Sequence, residues 1–205
     1  MMNLVQSLAN LAASLENCQD CELARGRTHM VFGRGSPRAR LMLIGEGPGA
    51  DEDRQGLPFV GRAGQLLDRI LAAAQLPPDD TFICNVVKCR PPDNRLPNSV
   101  EVEACKPHLR EQIRLIRPQI IVCLGALASQ VLIGPEARIT RDRGRWLQKG
   151  SMMIMPTFHP AALLRDESKK RPVWEDMQAV RDQYRTLLRQ ESGEPAGKTW
   201  PPTDE

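Results

Sequence analysis

Four short apolar runs punctuate the chain, at residues 39–45, 81–88, 119–124 and 151–155. Each reads as a buried strand of a parallel sheet, because strands covered on both faces are almost continuously apolar instead of alternating. Between them the apolar positions recur at helical spacing. Leu4, Leu8, Leu11 and Leu15 predict a first helix over residues 3–15, and Arg62 to Ala74 predicts an amphipathic helix that ends before Pro77 and Pro78. Asn98 or Ser99 can cap a third helix, with Glu101 and Glu103 in its first turn and Pro118 beyond its end. A short helix runs from Gly125 to Leu132, and a last one spans Val173 to Arg189. Residues 22–38 read as irregular and the stretch after Gly49, up to Gly61, as an extended connector. Residues 90–97 contain three prolines and cannot be helix. The basic stretch 138–149 reads as a hairpin or loop.

This alternation of strand and helix predicts an α/β fold, a three-layer αβα sandwich around a four-stranded parallel sheet. Residues 1–190 are expected to form a single domain, followed by a disordered tail (191–205) rich in Pro, Gly, Ser and charge. Right-handed crossovers then bring the ends of the first, second and fourth strands to one rim, where Glu46, Asn85 and His159 stand.

Ligands of such folds sit beyond the carboxyl ends of the strands. At the end of the first strand stands Gly45-Glu46-Gly47-Pro48-Gly49, whose glycines let backbone N–H groups approach a bound molecule. It lacks the lysine of a nucleoside-triphosphate loop and the spacing of a dinucleotide fingerprint. Phe59, in Leu57-Pro58-Phe59-Val60-Gly61, is either a core aromatic or a stacking platform. Asn85 interrupts an apolar strand, as an amide satisfied by backbone or as a donor and acceptor for a base edge. His159, between Phe158 and Pro160, is placed to stabilise a developing anion. Arg138, Arg141, Arg143 and Arg145 form a solvated basic loop or a grip for phosphates. His29 and His108 read as structural.

Composition narrows the classes. A net charge of +3 over 205 residues permits a polyanionic partner without requiring one. No apolar run approaches a membrane span, and residues 1–15 lack the basic flank of a signal peptide, so a cytoplasmic address is expected. Six cysteines in such a compartment are not disulfides by default. Cys84 and Cys123 lie in apolar strands and read as buried small hydrophobes. Cys18 and Cys21 form a Cys-x-x-Cys pair, and Cys89 and Cys105 flank the proline-rich loop. Four thiolates suit tetrahedral zinc or a cubane iron–sulfur cluster equally well.

Cys18-x-x-Cys21, the run from Gly45 to Asp53, Leu57 to Gly61, Asn85 to Pro92 and His159-Pro160-Ala161 together resemble the family 4 uracil-DNA glycosylases of bacteria and archaea. The resemblance runs from about residue 15 to residue 190. It implies a monomeric repair enzyme of the uracil-DNA glycosylase fold, acting on uracil in single- or double-stranded DNA. It also implies a [4Fe–4S] cluster held by Cys18, Cys21, Cys89 and Cys105. Gly45, Glu46, Gly47, Phe59, Asn85 and His159 would bind the flipped base, with His159 stabilising the uracil anion. Leu163 would be the wedge that fills the gap in the DNA stack, and Arg165 would contact phosphate. Familiar uracil glycosylases carry an Asp at the place of Gly47 to activate water; here Glu46 and Glu52 are the candidates, Glu46 ranked first. The loop 90–98 holds no histidine, as a relative bonding covalently to the abasic sugar would need, so plain hydrolysis is expected. Two other classes remain as alternatives, an iron–sulfur module that binds nucleic acid without cutting and a nucleotide-binding module that uses the glycine turn.

Overall fold

The computed structural model describes residues 4–192. Helix α1 (Leu4–Leu15) leads through the short α2 (Leu23–Gly26) and β1 (Arg34–Gly35) into β2 (Leu41–Gly45). After the glycine turn come α3 (Ala50–Gln55), α4 (Arg62–Ala73), β3 (Thr81–Asn85) and the long α5 (Ser99–Ile116). The second half is β4 (Ile120–Leu124), α6 (Ala126–Leu132), α7 (Ile139–Asp142), β5 (Leu147–Lys149), β6 (Met152–Thr157), α8 (Pro160–Arg165) and α9 (Lys170–Ser192).

The strands order as β1-β3-β2-β4-β6-β5. The four apolar runs are the central, mutually parallel strands, as expected. The expected four-stranded sheet is widened to a mixed six-stranded one by β1 and β5, which pair antiparallel at the two edges. These additions are two and three residues long and only partly buried or exposed, so no apolar pattern announces them. Residues 50–61 are not one extended connector, because Ala50–Gln55 is helical. Residues 22–38, expected to be irregular, contain α2 and β1. The last helix begins and ends three residues beyond its expected limits, which takes residues 191–192 out of the expected tail. The rest of that tail, 193–205, lies outside the described residues.

Parity along the strands sorts the core into two faces. Leu41, Leu43, Ile83, Ile120, Val122 and Met155 pack with residues of α4, α8 and α9. Met42, Ile44, Phe82, Cys84, Ile121, Cys123 and Ile154 pack with residues of α1, α5 and α6. Cys89 and Cys105 belong to this second face, and Phe59 to the first. Asn98 caps α5 as expected, its Oδ1 accepting from Glu101 N at 2.9 Å while the Glu101 carboxylate accepts from Asn98 N.

The chain order reverses between β2 and β4, since β3 lies on one side of β2 and β4 on the other. This switch point opens a crevice at the carboxyl ends of the strands. At the opposite rim a polar cluster ties the end of α9 to the strand starts. Arg40 donates to Asp80 at 2.8 Å and to Glu191 at 2.7 Å, Tyr184 donates to Asp80 at 2.7 Å, and Gln119 donates to Glu191 at 3.1 Å. No described helix is long and apolar enough to cross a membrane.

Candidate active site

At the switch-point crevice a cavity of about 190 Å³ is lined by Glu46, Gly47, Pro48, Gly49, Glu52, Phe59, Asn85 and His159, with Pro91, Asn94 and Arg95 along one side. Glu46, Gly47, Phe59, Asn85 and His159, expected from sequence as base-binding residues, therefore meet in one space. Gly45 lies directly behind it. A Cβ there would stand 2.5 Å from Asn85 Oδ1 and 2.6 Å from the Phe59 ring, so only glycine lets these two side chains meet. The last β2 residues keep pairing past the strand end, with Val86 N donating to Gly45 O and Val87 N to Glu46 O. That ladder fixes the glycine turn against Asn85.

Phe59 is buried and held at φ 55°, a left-handed conformation costly for a bulky residue. Two contacts hold it there. Its ring faces the His159 ring with centroids 5.6 Å apart and 28° between planes. Behind it Gly64 of α4 packs so closely that a Cβ would fall 1.9 Å from Phe59 O. Glu52 braces the same loop. Its Oε1 accepts from Val60 N at 2.9 Å and Gly61 N at 2.8 Å, and its Oε2 accepts from Gly49 N at 3.1 Å. The carboxylate thus joins the glycine turn to the phenylalanine loop.

His159 lies two residues past the end of β6 and caps α8. Its Nδ1 accepts from Ala161 N at 3.1 Å, which puts the proton of the neutral imidazole on Nε2. Burial holds its pKa down at about 4, with Arg165 acting in the same direction and Glu52 opposing. The ring is therefore a neutral N–H donor at ordinary pH. The strand end that carries it is anchored by Thr157, whose hydroxyl donates to buried Asp176 at 2.6 Å, and by Arg143, which donates to the same carboxylate at 3.0 Å.

Asn85 is 2% exposed, and its Oδ1 has no hydrogen-bond partner among the described residues. A buried amide oxygen without a partner is costly, and at a pocket wall it marks where a ligand donor belongs. The Glu46 carboxylate accepts no hydrogen bond among the described residues. Burial raises its pKa, with Arg165 opposing in part.

Leu163 is not free to act as a wedge. It is 2% exposed and packed in the core beside α4 and α9, whereas its neighbour Leu164 is 41% exposed. The residues after His159 form α8, so one step along the chain turns a side chain from core to solvent. Arg165 is exposed and makes no ion pair among the described residues, yet it lies close enough to act on both His159 and Glu46. The arginines of 138–145 do not act as one grip, since Arg141 pairs with Asp142 and Arg143 with Asp176. Asn94 and Arg95 were not evident from sequence. Arg95 is fixed by a bidentate pair with the buried Glu101 at 2.8 and 2.6 Å. The signal was the Asp93-Asn94 pair, residues tolerant of the left-handed backbone both adopt here.

On the other face of the sheet, Cys18, Cys21, Cys89 and Cys105 surround a small cavity together with Arg27, Lys88 and His108. All six cysteines are free thiols. Arg27 donates to Cys89 Sγ at 3.1 Å and Lys88 N to Cys105 Sγ at 3.3 Å, so positive groups and N–H donors already face the sulfurs. Tetrahedral zinc would bring its sulfurs to about 3.8 Å from one another, given Zn–S bonds near 2.3 Å. Among the described residues no three of these cysteines lie mutually within 4.8 Å; only Cys18, Asp20 and His108 form such a group. Four thiols gathered around one cavity, with a guanidinium and an N–H group facing the sulfurs, form a donor set that suits a thiolate-held metal centre. His108, expected to be structural, donates to Asp20 Oδ2 at 2.9 Å beside Cys18, and His29 donates to Asp53 O at 2.9 Å. Cys84 and Cys123 are fully buried in β3 and β4, away from this cavity, as expected.

Comparison with known proteins gives a consistent result. The sequence model of the "Uracil DNA glycosylase superfamily" matches residues 32–178. A "Type-4 uracil-DNA glycosylase" of Thermotoga maritima is 44% identical over 173 residues, covering 82% of this chain and 89% of that protein. Proteins of the same description from Sulfurisphaera tokodaii and Archaeoglobus fulgidus are 39% identical over 187 residues and 40% over 170. They cover 87% and 78% of this chain, and 85% and 84% of their own lengths.

Proposed function

The chain belongs to the uracil-DNA glycosylase superfamily, and from that premise we propose how its own residues carry out the reaction. It is a DNA-repair glycosidase that hydrolyses the N-glycosidic bond of uracil in DNA and leaves an abasic site. The observation that carries the assignment of residues is the buried, partnerless Asn85 amide oxygen, in the cavity that Phe59 and His159 also line.

A base must leave the stack before its glycosidic bond can be reached. Uracil stacks against Phe59, and the Asn85 amide accepts from its N3–H and donates to its O4. Cytosine presents an acceptor and a donor in the reverse order, so a fixed amide rejects it. As the bond between the sugar C1′ and the base N1 breaks, its electron pair leaves with uracil and the sugar gains oxocarbenium character. His159 Nε2–H donates to uracil O2, where negative charge grows, and so binds the transition state better than the ground state. A neutral donor suits this task, because it need not lose a proton to a base that departs as an anion.

Glu46 takes the proton of the water that adds to C1′. Its carboxylate is unengaged and its pKa is raised by burial, which favours a base role. Glu52, whose two oxygens already accept three backbone N–H groups, holds the pocket's shape. Leu164 takes the wedge role, and Arg165 contacts a phosphate flanking the flipped nucleotide. Cys18, Cys21, Cys89 and Cys105 would hold a [4Fe–4S] cluster that acts as a structural centre on the far side of the sheet. We read residues 1–190 as one domain acting as a cytoplasmic monomer.

The test is base release from uracil-containing single- and double-stranded oligonucleotides, revealed by alkali, with cytosine-containing controls. Cuts at uracil only, lost in His159→Ala, support the reading; release of cytosine by Asn85→Asp adds the discrimination mechanism. A folded, iron-loaded parent that releases no uracil from either strand form overturns it in favour of a non-catalytic binding module.

A further inference from the structure

Lys88 is a lysine only 2% exposed, and it has no carboxylate partner among the described residues. Its Nζ donates to two neutral oxygens, Asn85 O at 2.7 Å and Gln112 Oε1 at 2.5 Å. Gln112 is fully buried on α5, and its own Nε2 donates to Phe32 O at 2.9 Å, so its oxygen is committed to the lysine. The Lys88 backbone is held as firmly, with N donating to Cys105 Sγ and O accepting from Val31 N at 2.8 Å. The same residue lines the cavity of the four cysteines.

A buried ammonium facing only neutral acceptors costs several kcal/mol. Anions nearby would offset that cost, and the surrounding sulfurs supply them once they are thiolates, since four thiolates leave a cluster with net negative charge. Gln112 in place of an acid is consistent with this. A glutamate there would neutralise the lysine locally and leave the thiolate charge without compensation.

We propose that Lys88 is the counter-charge of the cysteine cavity and, through its bond to Asn85 O, a positioning residue that ties the state of that cavity to the uracil-reading amide. This rests on the cluster reading given above. Lys88 links the two sites, since its backbone N–H faces Cys105 while its ammonium reaches back to Asn85 O at the end of β3. Filling of the cavity therefore fixes the ammonium, the ammonium fixes the Asn85 peptide, and that peptide aims the side chain that tells uracil from cytosine.

The experiment compares the full-length, anaerobically loaded parent with Lys88→Met, Lys88→Arg and Gln112→Glu. Iron per chain, the reduction potential of the cluster and the affinity for free uracil as a competitive inhibitor are measured. In Lys88→Met the potential falls, because a nearby positive charge is gone, and uracil binds roughly tenfold more weakly, the value of one hydrogen bond of about 1.4 kcal/mol. Lys88→Arg restores the potential. Gln112→Glu lowers the potential but keeps uracil affinity, since the lysine and its bond to Asn85 remain; it carries the test if Lys88→Met does not fold. A Lys88→Met protein with parental potential or parental uracil affinity overturns the coupling, as does a Gln112→Glu protein with parental potential. A parent that holds no iron overturns the cluster reading as well, whereas an iron-loaded parent with no glycosylase activity overturns the function alone.

Discussion

Glu52 and Gly61 are joined by a 2.8 Å hydrogen bond from the glycine's backbone N–H to the carboxylate, across nine residues of chain. Together with the bonds from Val60 and Gly49 it makes Glu52 an internal strut for a pocket that Glu46 shares with an unengaged carboxylate. Two acids six positions apart thus differ in what their oxygens already hold.

Their amide variants should separate the strut from the proposed base. In Glu52→Gln one oxygen becomes an NH₂ that faces an N–H donor, so the thermal midpoint falls, by about 1–3 kcal/mol of stability. Glu46→Gln should keep stability within about 0.5 kcal/mol and lower kcat by about 10²–10⁴. Differential scanning calorimetry beside single-turnover kinetics checks both. A Glu52→Gln protein with the parent's midpoint would refute the strut.

His159 gives a pH prediction with a definite sign. Its folded pKa lies near 4 and its ordinary value is 6.5, so between these values the unfolded chain binds a proton that the folded protein does not. Stability attributable to this residue is therefore complete above pH 6.5 and is lost as pH falls toward 4. Urea titrations of the parent and His159→Gln should diverge in that window and run parallel above it. The kcat profile should show no limb near pH 6.5, the ordinary histidine value; a limb there that disappears in His159→Gln would contradict the neutral donor. His159→Ala should reduce kcat by about 10²–10³.

Adjacent leucines offer a third contrast. Leu163→Ala removes a core side chain and should cost about 2–5 kcal/mol. Leu164→Ala should leave the melting temperature nearly unchanged and slow uracil release from duplex more than from single strands, because only a duplex has a stack to refill. Equal slowing on both substrates would take Leu164 out of the wedge role.

Gly64→Ala tests the packing behind Phe59. A methyl group 1.9 Å from a backbone oxygen cannot be accommodated without moving the Phe59 loop, so kcat/KM should fall at least about tenfold. Gly26→Ala, whose new methyl would meet nothing within 4 Å, is the matched control and should be silent.

The central strands and the meeting of Glu46, Asn85 and His159 were legible because buried parallel strands write continuous apolar runs, whereas Phe59 was placed in the pocket only by the family resemblance. The parts that were not legible have no such pattern. Helix α3 is Ala-Asp-Glu-Asp-Arg-Gln, held by its cap and its acidic first turn and by no apolar face. Helix α8 begins with Pro160, a favoured first helical residue that reads equally as a turn. Missing it put Leu163 at the surface, since the orientation of a side chain beyond a cap depends on knowing that there is a helix. Edge strands β1 and β5 exist through backbone pairing and carry no side-chain signal. The division of labour between Glu46 and Glu52 depended on hydrogen bonds from Val60 and Gly61, eight and nine positions beyond Glu52, which spacing does not reveal.

The cluster of Arg40, Asp80, Gln119, Tyr184 and Glu191 clamps the end of α9 to the starts of the strands, while uracil would enter at their far ends. The chain therefore leaves its last described helix at the pole opposite the DNA. One salt-bridged corner thus pins the end of the last described helix at the pole away from the pocket.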